Sequence, residues 1–385
     1  MKPEILPDGL CSVEGIRAWG GRYGKYGAAM IKAPEVCKSA LVITRNKIKA
    51  APLLVTKENV KNGIRAVIVN SGNANCATGK RGMEDARKMA EMAAKKLGVE
   101  PKNVAVASTG IIGKYLDLDA LEKAVGGMKT GSSEAAKAIM TTDTKPKELA
   151  VRFELENGEK GTIAGICKGS GMIRPDMATM LCFLVTDVDV EDMQAALKEA
   201  TDKSFNCISV DNDMSTNDMV LLMSTSSVKS DKSKNFLHAL TYVCQELAKM
   251  IVKDGEGSTK FIEVSVSGAN DDKEAKKAAM SISDSMLFKT AMYGSNANWG
   301  RIASAVGYSG VDFEPETMEI SVKASGKEFK LFFGKALDVE KKEVDKAMKA
   351  GEITVKVELK QGKGSCTVWT SDLSADYVKI NAEYN

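Results

Sequence analysis

The sequence predicts an α+β protein, and three observations carry that prediction. Short apolar runs bounded by glycine, asparagine and serine read as strands. Other stretches repeat their apolar positions at helical spacing: Ala86, Met89, Ala90, Ala93 and Leu97 fall at i, i+3, i+4, i+7 and i+11, the stripe of one helix. Residues 318–374 set alternating strands around a lysine-rich helix at about 335–350, within a smaller α+β portion at about 285–375.

In chain order, Gly20-Gly21-Arg22-Tyr23-Gly24-Lys25-Tyr26-Gly27 reads as a turn between extended segments such as Ala40–Thr44 and Pro52–Val55. Arg65–Val69 is a buried strand that runs into Asn70-Ser71-Gly72-Asn73-Ala74-Asn75. The Gly79-Lys80 that follows is no phosphate loop: its spacing from Gly72 is too long, and Arg81 stands where Ser or Thr would bind magnesium. A second strand, Asn103–Ala107, stops at Ser108-Thr109-Gly110-Ile111-Ile112-Gly113. Glycine there lets a backbone N–H approach a ligand closely. Thr109 hydroxyl and Gly110 N–H read as an oxyanion hole, against the plainer meaning of a strand-to-helix turn. Residues 117–140 look helical, and Thr141-Thr142-Asp143-Thr144 then sets hydroxyls on a turn, either solvated or lining a pocket. Val151–Leu155 and Gly161–Ile166 form a hairpin through Asn157-Gly158. Asp189 can cap a helix that buries Met193, Ala196, Leu197 and Ala200. Residues 206–223 read as strand, polar loop, strand, a hairpin tip on a pocket rim. They are not a calcium loop, for the sixth-position glycine is missing and Leu222 stands at the bidentate glutamate. An amphipathic helix around 233–252 ends at Lys253–Lys260, where Glu256 sits between two glycines on a tight turn. Tyr293–Arg301 is a polar turn leading into a small-residue helix.

The stretch from Cys167 to Asp187 organises all of this. Its first half is loop, with two glycines around Ser170 and then Pro175, which disfavours a helical Arg174. From Thr179 the run is apolar, partly β-branched and free of glycine and proline, the pattern of a strand buried on both faces and ending near Val188. A glycine turn thus delivers the Ala178-Thr179 peptide to the mouth of a core strand. A threonine hydroxyl there could attack the carbonyl before it and cut its own chain, leaving an amino-terminal threonine with nucleophile and base in one residue. A loop entering an ordinary strand is the plainer alternative.

Composition excludes several classes. The 385 residues carry a net charge of only +3 and no lysine-arginine run, so nucleic acid and anionic membrane are not expected partners. No apolar run approaches the ~20 residues of a membrane span, and Met1–Pro7 lacks a signal-peptide core, so the expected compartment is the cytoplasm. Cysteines at 11, 37, 76, 167, 182, 207, 244 and 366 form no C-x-x-C pair and read as reduced, mostly buried residues; no metal site is expected. The single histidine, His238, shares a helix face with Thr241, Tyr242 and Gln245 and reads as solvated. Histidine-based nucleophile activation is thereby excluded.

These motifs occur together in one order. Asn70–Asn75, Ser108–Gly113, Thr141–Asp143, Lys168–Ile173 with Pro175–Leu181, Ser215–Asp218, Asp254–Gly257, Ala297–Arg301 and Ile380–Tyr384 resemble the ornithine acetyltransferase family, the glutamate N-acetyltransferases of arginine biosynthesis, over nearly the whole chain. The resemblance implies a precursor cut between Ala178 and Thr179 into fragments 1–178 and 179–385, which together form an αββα sandwich similar to the amino-terminal-nucleophile hydrolases. It implies Thr179 as nucleophile with its freed amine as base, and Thr109 and Gly110 as oxyanion hole. Thr142, Lys168, Thr179, Glu256 and Asn381 would contact the substrates, N-acetyl-L-ornithine and L-glutamate. An α2β2 assembly is implied, no cofactor is needed, and acetyl-CoA stays open as a second donor. The sequence departs from the family at its first 35 residues and at Asp211–Met214, and it ends at Asn385 without the terminal serine or threonine that contacts substrate in most members.

Exchanging one amide for another is close to thermoneutral, and an ester on threonine divides a slow aminolysis into two easier steps. Two other readings stay open: an aminopeptidase or amidase in which water takes the acyl group, and a metabolite-binding relative that never cuts itself.

Overall fold

The computed structural model describes residues 3–174, 180–229 and 234–383. The chain divides into two units, Met1–Asn206 with Asp213–Ile251, and Cys207–Asn212 with Val252–Asn385. The smaller α+β portion expected over 285–375 is part of the second unit.

One strand, Tyr26–Ile43, belongs to both sheets of the first unit. Its pairing with Ile64–Asn73 shifts register between Lys32 and Cys37, around Pro34. Proline donates no N–H, so the ladder breaks there. The half before it pairs with Arg17–Tyr23 and Ile64–Asn73, and the latter pairs in parallel with Val104–Ile111. The half after it pairs with Met219–Lys229. Leu181–Asp189, Lys160–Lys168, Lys147–Glu154 and Glu4–Leu6 follow in that order.

The two sheets face each other across one core. Ala29, Ile31, Val67, Val69 and Ala107 come from one sheet, and Ile166, Leu181, Phe183, Val185, Leu221 and Met223 from the other. On the far side of the first sheet, Met30, Ile68 and Val106 pack against Ala86, Met89, Ala90 and Ala93 of helix Gly79–Leu97. The far side of the second meets helix Lys234–Lys253: Cys167 Sγ lies 3.8 Å from the Leu247 carbonyl, and the Phe153 and Phe236 rings are 6.3 Å apart. The first unit is therefore helix, sheet, sheet, helix. Leu181–Asp189 runs through its middle, with Leu181 to Thr186 all buried. Each such apolar side chain contributes about 1.5–3 kcal/mol by leaving water, which fixes the strand's place.

The second unit has one six-stranded sheet in the order Ile208–Ser209, Gly364–Ser371, Phe261–Ala269, Glu352–Glu358, Glu319–Ala324, Lys327–Phe333. Alternate residues of Phe261–Ala269 are buried, and helix Asp272–Asp284 covers that sheet.

Three local expectations are corrected. Pro52–Val55 is not extended: Ala51–Asn59 is a helix with proline in its first turn, where a missing N–H costs nothing. The helix cap is Asp192, whose carboxylate accepts from Ala195 N–H, not Asp189, which lies in the strand. Residues 206–223 do not form a hairpin, since Ile208–Ser209 pairs with Gly364–Ser371 while Met219–Lys229 joins the first unit's sheet. Apolar alternation marks a strand but carries no information about which partner it finds. His238 is exposed on its helix. Among the described residues no helix is long and apolar enough to cross a membrane.

Candidate active site

In the first unit the parallel strands Ile64–Asn73 and Val104–Ile111 end side by side, with Ser71 paired to Thr109 and Gly72 to Gly110. Backbone groups at strand ends need partners, and asparagine supplies them. Asn70 Oδ1 accepts from the Ser108 hydroxyl, and Asn73 Nδ2 donates to the Lys114 and Tyr115 carbonyls at 3.2 and 2.9 Å. Asn217 Nδ2 ties both ends together, donating to the Ala74 and Ser108 carbonyls at 2.7 and 2.8 Å. Gly110 has φ +131°, and a Cβ there would lie 2.4 Å from the Gly72 carbonyl carbon. Only glycine fits so close a backbone approach. Thr109 and Gly110 are half-buried.

The second group centres on Asp143, whose side chain is enclosed. Its Oδ1 accepts from Lys147 Nζ and the Gly169 N–H, each at 2.7 Å. Its Oδ2 accepts from the Thr141 N–H at 3.1 Å and lies 3.7 Å from Lys168 Nζ. Burial works to raise the Asp143 pKa, but the charges of Lys168 and Lys147 and the bonds from Lys147 and Gly169 outweigh it, holding the carboxyl well below its ordinary range. Asp143 thereby joins the threonine turn to the end of strand Lys160–Lys168. The hydroxyls of Thr142 and Ser170 meet across that junction at 2.7 Å.

Lys168, Leu181, Met219 and Ile43 form one row across the sheet. Ala178 and Thr179, expected at the scissile bond, lie outside the described residues. Their neighbour Met180 is anchored through its carbonyl, which accepts from the Met219 N–H at 3.0 Å. Asp218 is fully buried, and its Oδ2 has no partner among the described residues. Burial raises its pKa well above the ordinary value, more than the bonds from Ser215, Met180 and Thr44 and the charge of Lys168 lower it.

In the second unit Glu256 follows helix Lys234–Lys253 on a turn in which the Ser258 N–H donates to the Gly255 carbonyl at 2.9 Å. Asp372 fastens what comes next, accepting from the N–H groups of Thr259 and Lys260 at 2.8 and 2.9 Å. Gly257 has φ +65°, and its carbonyl accepts from the Ser374 hydroxyl at 2.6 Å. Asn381, on the exposed helix Ala375–Glu383, donates to Glu256 Oε2 at 2.8 Å.

Of the residues expected from the sequence, Thr142 and Lys168 are thus drawn together around Asp143, Thr109 and Gly110 share one strand end, and Glu256 and Asn381 touch. Asn217 and Asp218, adjacent in the chain, connect the Thr109 strand end to the row containing Lys168. Asp143, Ser170, Asn217 and Asp218 each stand in one of the motifs above, and the sequence alone assigns them no role. A polar residue beside an apolar strand in those motifs was the available signal. Among the described residues no group of three or more His, Cys, Asp or Glu is gathered as a metal ion would require.

The sequence matches the ArgJ family over residues 13–385. It is 44% identical to the glutamate N-acetyltransferase of Methanothermobacter thermautotrophicus over 399 residues, covering 100% of this chain and 99% of that protein. It is 45% identical to the arginine biosynthesis bifunctional protein ArgJ of Geobacter sulfurreducens over 379 residues, covering 94% of this chain and 95% of that protein. Among solved structures, the arginine biosynthesis bifunctional protein ArgJ of Bacillus halodurans aligns with a TM-score of 0.48 at 39% identity, covering 51% of this chain and 95% of that chain.

Proposed function

This chain belongs to the ArgJ family and is an acyltransferase, and on that premise we propose that it moves the acetyl group of N-acetyl-L-ornithine to L-glutamate through an acetyl ester on Thr179. The observation that carries this reading is the full-length match to a relative named for glutamate N-acetylation.

The chemistry begins with cleavage between Ala178 and Thr179: the Thr179 hydroxyl attacks the Ala178 carbonyl, the Thr179 nitrogen leaves as a free amine, and water hydrolyses the resulting ester, giving fragments 1–178 and 179–385 that stay together. The Thr179 hydroxyl attacks the acetyl carbonyl while its own α-amine takes the hydroxyl proton. An α-amine has an unperturbed pKa of about 7.7–8.0, low enough to act as base near neutrality. A cation such as Lys168 nearby would lower it further. The tetrahedral oxyanion accepts from the Thr109 hydroxyl and the Gly110 N–H, and losing one such donor costs on the order of 10²–10³ in rate. The proton returns to the departing amine of ornithine, leaving the ester. Glutamate's α-amine then attacks the ester and regenerates threonine. Thr142, Lys168, Glu256 and Asn381 hold the amino acids, with Glu256 suited to the ornithine ammonium. The working assembly is α2β2, in the cytoplasm.

Mass spectrometry of the purified protein tests this. A self-cut enzyme runs as two bands of about half the 41.2 kDa chain, and its 179–385 fragment gains one acetyl group when N-acetylornithine is added. Thr179→Ala restores a single full-length band. One band for the unaltered protein, or acetyl release that glutamate does not accelerate, refutes the proposal and favours a binder or a hydrolase respectively.

A further inference from the structure

We propose that Asp143 is a positioning residue that holds Lys168 and Thr142 ready for substrate; this rests on the reading of those two residues as substrate contacts. Three observations support it.

The first is connectivity. Asp143 accepts from Thr141 N–H and from Gly169 N–H, the neighbours of Thr142 and Lys168 in the chain. One carboxylate therefore fixes two backbone segments that are distant in sequence, and their substrate-facing side chains follow.

The second is how its two ammonium partners differ. Lys147 is bonded tightly at 2.7 Å and also donates to the Lys145 carbonyl at 3.2 Å. Lys168 stands 3.7 Å away, close enough for attraction and beyond a hydrogen bond. Lys147 neutralises Asp143, whereas Lys168 is steered by it and its ammonium donates no hydrogen bond among the described residues.

The third is charge. Side-chain exposures are 0% for Asp143, 2% for Lys147 and 9% for Lys168, so two ammoniums share one ionised carboxylate out of water. The buried Asp218 carboxyl also feels Lys168 but is driven by burial toward its neutral form. A surplus positive charge in such a place is costly alone and favours an arriving anion. Both amino-acid substrates bring a carboxylate, and Lys168, the more exposed and less tightly held of the two ammoniums, is the one placed to meet it.

The test separates positioning from simple charge balance. Asp143→Asn alone leaves two buried ammoniums without a counterion and is expected to unfold more readily. Asp143→Asn with Lys147→Met keeps the cluster's net charge, so its thermal melt and circular dichroism should approach those of the unaltered protein. Its KM for N-acetylornithine and for glutamate should nonetheless rise on the order of tenfold, as expected for loss of a charge-assisted contact, with a smaller change in kcat. On a Lys168→Met background, the same pair of substitutions should raise KM no further, because the effect acts through Lys168. A folded charge-balanced variant with normal KM overturns the proposal, as does an equal further rise on the Lys168→Met background. If the charge-balanced variant does not fold, Asp143 serves the fold and the proposal is overturned. If Lys168→Met alone leaves both KM values unchanged, the substrate-contact reading is what fails, and the proposal falls with it.

Discussion

Gly110→Ala tests the proposed oxyanion hole most directly. Gly110 adopts φ +131°, where a residue with a Cβ is strained by about 1–3 kcal/mol. The new carbon would also meet the Gly72 carbonyl carbon at 2.4 Å and Asn73 N at 2.5 Å, both backbone atoms. Carbon contacts settle near 3.5–4.0 Å, so the strands must part by roughly 1 Å. They are held by the Gly72–Gly110 register and by Asn217 on both sides, and about one ladder hydrogen bond, worth about 0.5–1.5 kcal/mol, is lost. The expected destabilisation is about 3 kcal/mol, a fall in Tm of about 6–9 °C for a unit of this size. The displaced N–H should lower the transfer rate by on the order of 10²–10³. Gly113→Ala is the control, because it has φ +81° with nothing within 4 Å of the added carbon. It carries strain without a clash and should keep its rate within a few-fold. Melting curves and initial rates on both variants decide the matter: equal losses of stability and rate refute the close-approach argument.

Asp218 has a raised pKa, so below the unfolded value of about 3.9 both states are protonated and it contributes nothing to pH dependence; as pH rises from there through the raised folded value, the unfolded state ionises first and stability is lost. Asp218→Asn does not titrate, so its Tm relative to the unaltered protein should improve as pH rises above about 4, and a difference that does not change with pH contradicts the buried-acid assignment. Gly257→Ala sets a carbon 2.4 Å from Tyr377 N and 2.9 Å from the Asp376 carbonyl carbon, pushing the helix that carries Asn381 away from Glu256. Loss of that charge-assisted bond should raise KM about tenfold, and an unchanged KM means the Asn381–Glu256 contact does not serve substrate.

Much of the first unit could be read from the chain because its signals are local. The stripe of helix Gly79–Leu97 and the apolar run of Leu181–Asp189 announce themselves, since burial on one face or on two leaves a period in the sequence. Pairing partners leave no such mark. Residues 206–223 read as strand, polar loop, strand of one hairpin, and only the sheets reveal that Ile208–Ser209 and Met219–Lys229 belong to different units. Pro52 was equally ambiguous, because a proline that breaks a strand also opens a helix.

The candidate site divides along the same line, and its two buried aspartates show why. Asp143 and Asp218 both stand in polar motifs beside core strands, and nothing in those motifs distinguishes them. Their protonation tendencies are opposite. Asp143 meets one ammonium from four residues along its own segment and another from the neighbouring strand, because pairing of Lys147 with Cys167 brings Lys168 alongside. Those two charges overcome the cost of burial. Asp218 has only neutral donors in hydrogen-bond contact and feels Lys168 as its weakest influence, so burial prevails. The sign of each shift is set by which strand lies next to the carboxylate, a property of sheet register rather than of composition or motif. A motif can therefore nominate the residues that meet substrate, while the residues that fix their charge emerge only once the strands are paired.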